Sequence, residues 1–231
     1  MPQLNVLSGG AAQGLVGELA DDFEQQTGLS IGGSFGAVGA MRDKLLAGEP
    51  CDLLILSQAL IDGLVQSGHA VASSVRPVGV VKTGVAVVSG QNHPKVDTRE
   101  ALQKAMSQAS AIYCPDPQKA TAGIHFYKVL TELGLPEGWQ DRLRTYSNGA
   151  TAMRALADDA VPGAIGCTQV TEILYTRGVD LIGLLPSPFE LSTVYAAAVC
   201  AQAQHPQQAQ DLIERMIAPE NAKLRKDGGF D

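Results

Sequence analysis

The sequence has no basic run, no apolar segment long enough to cross a bilayer and no paired cysteine motif, and each absence removes a class of function. Its 17 Lys and Arg are scattered among 24 Asp and Glu, for a formal net charge of −7. Nucleic acid and anionic membrane surfaces both require a concentrated positive patch, so neither is an expected partner. The longest apolar stretches, Val78 to Val88 and Tyr195 to Ala201, fall well short of the ~20 residues of a membrane span, so no membrane insertion is expected. Nothing near Met1 resembles a basic, then apolar, then small-residue leader. The expected compartment is periplasmic if a leader was removed, and otherwise cytoplasmic.

Cys51, Cys114, Cys167 and Cys200 are far apart, with no CxxC pair and no Cys/His cluster at zinc spacing, so no metal site is expected. Cys51, Cys114 and Cys200 read as small buried apolar residues. Gly9-Gly10 with Gly14 is not the GxGxxG dinucleotide fingerprint, and there is no Walker lysine and no GxSxG elbow. No cofactor is expected. No internal repeat or low-complexity tract is visible, and His69, His93 and His205 lie in predicted turns as surface residues.

What is present is a chain of 231 residues, 45% hydrophobic, in which strand-like and helix-like segments alternate. That pattern predicts an α/β protein of two lobes with mainly parallel sheets. Leu15, Leu19 and Phe23 at four-residue spacing predict a helix over 12–27 stopped by Gly28. Strands follow near 30–35 and 52–56, with helices over 39–47 and after Ser57. Extended chain at 75–88 crosses into a second series: a helix opened by Thr98, a strand at 111–114, a helix over 122–133, a helix through 151–157, a strand at 163–167 and a helix over 168–176. Residues 193–201 carry the chain back, and a helix over 206–217 completes the first lobe. The expected division is 1–80 and 193–231 in one lobe and 81–192 in the other, joined by two crossing strands.

Four strand-to-helix turns share one design: Ser8-Gly-Gly-Ala-Ala-Gln13, Ser34-Phe-Gly-Ala-Val-Gly39, Asp116-Pro-Gln-Lys-Ala-Thr-Ala-Gly123 and Ser147-Asn-Gly149. The first N–H groups of a helix lack internal partners, and the helix dipole favours negative charge beside them. Open α/β sheets bind ligands beyond the carboxyl ends of their strands, where all four turns lie. The expected ligand is a small anion, bound between the lobes by hinge closure.

The order of these turns, with Phe23-Glu-Gln-Gln-Thr-Gly28, Ala47-Gly-Glu-Pro-Cys-Asp-Leu-Leu-Ile55, Ile217-Ala-Pro219 and Gly229-Phe230, resembles the molybdate-binding proteins of ABC transporters over nearly the whole chain. The resemblance implies the type II periplasmic-binding-protein fold, two Rossmann-like lobes, and an ABC permease as partner if the protein is exported. It also implies a ligand shell that this chain alters. Where the family carries serine hydroxyls on the first two turns, this chain has Ala11 and Val38, and the family's tyrosine on the strand after the fourth turn corresponds to Cys167. Ala122 and the backbone near Gly149 match positions where the family uses main-chain N–H groups. At about 1.5–3 kcal/mol per hydrogen bond to a charged group, three lost hydroxyls reduce oxyanion affinity by several powers of ten.

An organic acid is therefore the expected ligand, with molybdate or tungstate as an alternative. The expected ligand-binding residues are Gly9, Gly10, Ala11, Gln13, Ala37, Val38, Gly39, Thr121, Ala122, Gly123, Asn148, Gly149, Cys167 and Gln169. Relatives of the family include enzymes that isomerise aconitate, which makes an isomerase of a small unsaturated polycarboxylate the other alternative. Moving a double bond beside a carboxylate needs a base and an acid. The candidate catalytic residues are His125, Lys119 and Cys167, the last expected at a helix start that would favour its thiolate.

Overall fold

The first strand, β1 (Gln3–Gly9), buries Leu4, Val6 and Leu7, then passes through a single 3-10 turn at Gly10–Ala12 into α1 (Gln13–Thr27). Helix α1 buries Leu15, Val16, Leu19 and Phe23 along one face. It ends where Gly28 takes the left-handed conformation, φ 72°, and returns its N–H to the Glu24 carbonyl at 2.8 Å. The computed structural model from which this is read describes residues 2–231.

The remaining elements follow in chain order: β2 (Ser30–Gly36), α2 (Val38–Leu46), β3 (Leu53–Ser57), α3 (Gln58–Gln66), β4 (Arg76–Val88), α4 (Arg99–Gln108), β5 (Ile112–Pro115), α5 (Thr121–Glu132), β6 (Leu143–Tyr146), α6 (Gly149–Asp159), β7 (Ile165–Gln169), α7 (Val170–Tyr175), β8 (Val179–Leu184), β9 (Ser192–Val199), α8 (Pro206–Ile217) and α9 (Ala222–Asp227). The chain divides into two compact units, residues 1–81 with 193–231, and residues 82–192.

In the first unit β1 lies between β2 and β3, parallel to both, and β9 pairs antiparallel with β3 from Leu53↔Val199 to Ser57↔Tyr195. One continuous core joins α1, the four strands and α8. Helix α8 contributes Ala209, Leu212, Ile213 and Met216, all buried. Its start is fixed by Asp52, a residue 1% exposed just before β3. One oxygen of that carboxylate accepts from the N–H groups of Gln204 (2.6 Å) and His205 (2.9 Å), and the other from the Asn5 N–H (2.8 Å) and side-chain amide (3.3 Å).

In the second unit β5 runs parallel to β6 and β7, and β4 pairs antiparallel with β7 and β8. Two apolar layers cover the sheet, one including Leu102, Met106, Phe126 and Leu130 and the other Met153, Leu156 and Ile173. Helix α4 is capped at both ends. Thr98 accepts from the Ala101 N–H at its start, and Arg142 donates to the carbonyls of Met106, Ser107 and Ala109 at its end.

Several elements differ from sequence expectation. The extended chain expected at 75–88 is one continuous 13-residue strand, Arg76–Val88. Strand β7 extends to Gln169, so α7 begins at Val170 and not Thr168. Strand β6 and helix α9 were not anticipated; each is short and lacks a strong apolar period, with no buried residue in α9.

Because Asp52 accepts four hydrogen bonds with both oxygens, Asp52→Asn must turn an NH2 group toward one pair of N–H donors. At about 1.5–3 kcal/mol for each bond to a charged group, the expected cost is about 3 kcal/mol. Urea unfolding should show it as a lower midpoint with an unchanged slope.

Candidate functional site

In the first unit two of the predicted turns are neighbours, because Gly9 and Gly36 are register partners at the ends of β1 and β2. Ala11 and Ala12 are buried in the 3-10 turn, and Gln13 opens α1 half-buried. Ala37 occupies the N-cap of α2, Val38 its first position and Gly39 its second, and no side chain caps either helix. A Cβ placed on Gly9 would stand 2.8 Å from both Val38 Cγ1 and Tyr195 Cε1. Gly9, Val38 and Tyr195 are thus brought together. Tyr195 is buried, packs edge-on against Phe230, and sits opposite Ser57 in the β3–β9 ladder. Sequence reasoning missed it. The available signal was a single aromatic residue in the alanine-rich strand Thr193-Val-Tyr-Ala-Ala-Ala-Val199.

In the second unit the parallel strands β5, β6 and β7 end at Pro115, Tyr146 and Gln169, and each leads into a helix start. Asp116 Oδ1 accepts the N–H groups of Gln118 and Lys119, folding the loop toward α5. Ala120 is the N-cap of α5 and makes no side-chain capping bond, leaving Thr121 and Ala122 at an uncapped start. Gly123 is required there, since a Cβ would overlap the carbonyl oxygens of Pro115 and Asp116. Lys119 is exposed. His125 lies one turn into α5, half-buried, with Nε2 2.8 Å from the Phe189 carbonyl. A carbonyl only accepts, so Nε2 carries the proton and Nδ1 is the basic nitrogen.

The fourth turn differs from the other three. Asn148 accepts the Thr151 N–H at 2.8 Å, and the Glu172 carboxylate, 5% exposed, lies against the first turn of α6. A Cβ on Gly149 would overlap Glu172 Oε2 and Thr168 Oγ1. Thr168 donates to Glu172 at 2.5 Å, and N–H groups of Ala150, Gly149 and Gln169 also hydrogen-bond it. The expectation of an open helix start at Asn148 and Gly149 is corrected accordingly: an internal carboxylate already engages those donors. Burial dominates the balance at Glu172 and raises its pKa, with the hydrogen bonds from Thr168 and the backbone opposing it.

Cys167 is also corrected. It lies inside β7 at 0% exposure, packed in the apolar layer with Val85, Ile112 and Phe126, and desolvation holds its thiol well above the usual range. No thiolate is favoured there, because the strand continues two residues further than expected. Gln169 takes the place at the strand's end, buried at the N-cap of α7 and opposite Thr83 in the β4 ladder.

Paired parallel strands ending in helix starts within each of two units, with a returning strand and helix completing the first, define the type II periplasmic-binding-protein fold. The chain belongs to the bacterial extracellular solute-binding protein family, which it matches over residues 4–231. Among solved structures it is similar to the periplasmic molybdate-binding protein of Azotobacter vinelandii, 21% identical, with a TM-score of 0.81 and 99% of each chain covered. Among curated proteins it is similar to an aconitate isomerase from a Pseudomonas species, 25% identical over 98% of this chain and 87% of that one. It is also similar to the molybdate-binding protein ModA of Escherichia coli (strain K12), 19% identical over 99% and 88%. Among the described residues, no helix is long and apolar enough to cross a membrane.

The raised pKa of Glu172 makes a signed prediction. Between its unfolded value, near 4.5, and its higher folded value, the native state binds more protons than the unfolded chain, so this group's stabilisation is full below that window and lost as pH rises through it. Glu172→Gln removes the titration. Urea midpoints from pH 4 to 8 should show wild type falling relative to the glutamine variant as pH rises.

Proposed function

We propose that this solute-binding protein takes a small organic acid, held by backbone N–H groups at helix starts such as those of α1, α2 and α5. The observation that carries this reading is the pairing of uncapped helix starts with carbon instead of hydroxyl at Ala11 and Val38, both buried. Backbone donors satisfy a carboxylate, and methyl and isopropyl groups accommodate a carbon skeleton where serine hydroxyls would have met oxyanion oxygens. In this reading Gly9, Gly10, Ala11, Gln13, Ala37, Val38 and Gly39 form one half of the ligand shell and Thr121, Ala122, Gly123 and Gln169 the other. Delivery to an ABC permease accords with the family.

A second reading, isomerisation of an unsaturated polycarboxylate, is favoured by the similarity to an aconitate isomerase over 98% of the chain. With Cys167 sealed in the core, it would rest on His125 Nδ1 as base and Lys119 as proton donor. The Nε2–H bond to Phe189 would hold the imidazole ring in orientation.

A thermal-shift panel of di- and tricarboxylates, molybdate, tungstate, sulfate and phosphate tests the first reading. At 100 times Kd a ligand adds about 2.7 kcal/mol, which for a chain of this size raises Tm by about 5–10 °C. A shift with carboxylates is expected, and a shift confined to molybdate and tungstate would overturn the organic-acid assignment. Ultraviolet absorbance of the responding acid then separates the readings, since a binder leaves the spectrum unchanged. Restoring hydroxyls with Ala11→Ser and Val38→Ser should raise molybdate affinity at least about tenfold by calorimetry, as each recovers about 1.5–3 kcal/mol.

A further inference from the structure

Two of the four cysteines meet at the opposite end of the first unit's strands from the helix starts. Cys51 precedes β3 and Cys200 follows β9, and the antiparallel register of those strands brings them together: Leu53 pairs with Val199, and the Cys200 N–H donates to the Asp52 carbonyl at 2.9 Å. Cys200 Sγ lies 3.6 Å from the His69 carbonyl. Cys51 Sγ donates to the Leu53 carbonyl at 3.3 Å. The two side chains are 7% and 5% exposed and share the wall of a pocket of about 370 Å³ with Gly48, Pro50, His69 and Gln202.

Cys114 and Cys167 provide a contrast within the same chain. They follow the partners Tyr113 and Gly166 on the adjacent strands β5 and β7, so they are also neighbours, yet both are 0% exposed inside an apolar layer. Proximity alone does not distinguish the two pairs; access does.

We infer that Cys51 and Cys200 form a redox pair that closes to a disulfide by exchange with a low-molecular-weight disulfide entering their shared pocket. Cys200 is the attacking residue. Its ionised form is favoured by the neighbouring Cys51 and by the N–H groups of Gln202 and Ala201, which bring its pKa down to about 6, whereas the neighbouring Cys200 and burial push Cys51 up. The Cys200 thiolate, its proton released to water, attacks one sulfur of the small disulfide and expels one thiolate, leaving a mixed disulfide. Cys51 then gives up its proton and attacks Cys200 Sγ, expelling the second thiolate. Two protein thiols are oxidised and one small disulfide is reduced to two thiols, with no other reactant. The product joins the entry to β3 to the exit from β9.

The test is native full-length protein incubated with oxidised glutathione, quenched in acid, unfolded, alkylated and peptide-mapped by mass spectrometry. A Cys51–Cys200 linked peptide pair is expected, lost on dithiothreitol treatment, with Cys114 and Cys167 recovered fully alkylated. In Cys51→Ser the second step is blocked, and glutathione should remain attached at Cys200. Full alkylation of Cys51 and Cys200 in the treated wild-type protein would overturn the inference. So would a glutathione-free Cys200 in the serine variant, provided its circular dichroism matches wild type.

Discussion

The first unit is assembled from two distant stretches of chain, and the Asp52 carboxylate is the interaction that binds them. The chain leaves this unit after Val81 and re-enters at Thr193, so nothing local specifies where β9 and α8 should dock. Asp52 specifies it by accepting N–H groups from Asn5 in β1 and from Gln204 and His205 ahead of α8. A buried carboxylate is costly unless each oxygen is satisfied, so the arrangement tolerates little displacement of any partner. The Cys200 N–H to Asp52 carbonyl bond continues the same joint into the β3–β9 ladder. That ladder sets Tyr195 opposite Ser57 and hence beside Gly9 and Val38. The setting of Gly9, Val38 and Tyr195 therefore depends on a carboxylate at the far end of the strands.

The four turns show how little a helix start decides by itself. All share the strand, small residue, helix pattern, and all carry the same dipole. Those of α1, α2 and α5 have alanine or glycine where a capping side chain would stand, while that of α6 has Asn148 and, from two elements away in sequence, Glu172. Glu172 supplies the acceptor oxygens that a ligand would otherwise bring. Its desolvation is offset by Thr168 and three backbone N–H groups, and the balance leaves it an acid whose ionised form is disfavoured. The same local pattern thus leaves three helix starts without a capping side chain and fills the fourth from within the protein.

Where local physics dominates, the sequence was readable. The four-residue spacing of Leu15, Leu19 and Phe23 and the stop at Gly28 located α1 within a residue, Thr98 located α4, and Pro206 located α8. The alternation of elements was enough for the fold class. Errors arose where the deciding contact is remote. Cys167 was placed at a strand end because Thr168 and Gln169 read as a helix start, whereas pairing with Thr83 and Gly84 keeps both residues in β7. Glu172 looks like an ordinary polar residue of a short helix until α6 is packed against it. Tyr195 comes beside Gly9 and Val38 only through register with β3, which no window of sequence contains. Strand β6 escaped notice because its four residues, Leu-Arg-Thr-Tyr, are only partly buried or exposed and carry no alternation strong enough to register.

The cysteines carry the same lesson into chemistry. Composition describes four equivalent small apolar residues, and the fold sorts them into a sealed pair across β5 and β7 and a pair beside Asp52 that lines a pocket. A bond between Cys51 and Cys200 would close a loop of roughly 150 residues, for which chain entropy alone allows a stabilisation of about 5 kcal/mol before any strain is deducted. It would act on the joint that Asp52 already holds, by a different physical route: the carboxylate stabilises the folded arrangement directly, whereas a covalent link restricts the unfolded chain. The two effects are therefore separable in principle, since loss of the carboxylate would leave the covalent restriction in place, and reduction of the sulfurs would leave the four N–H bonds intact.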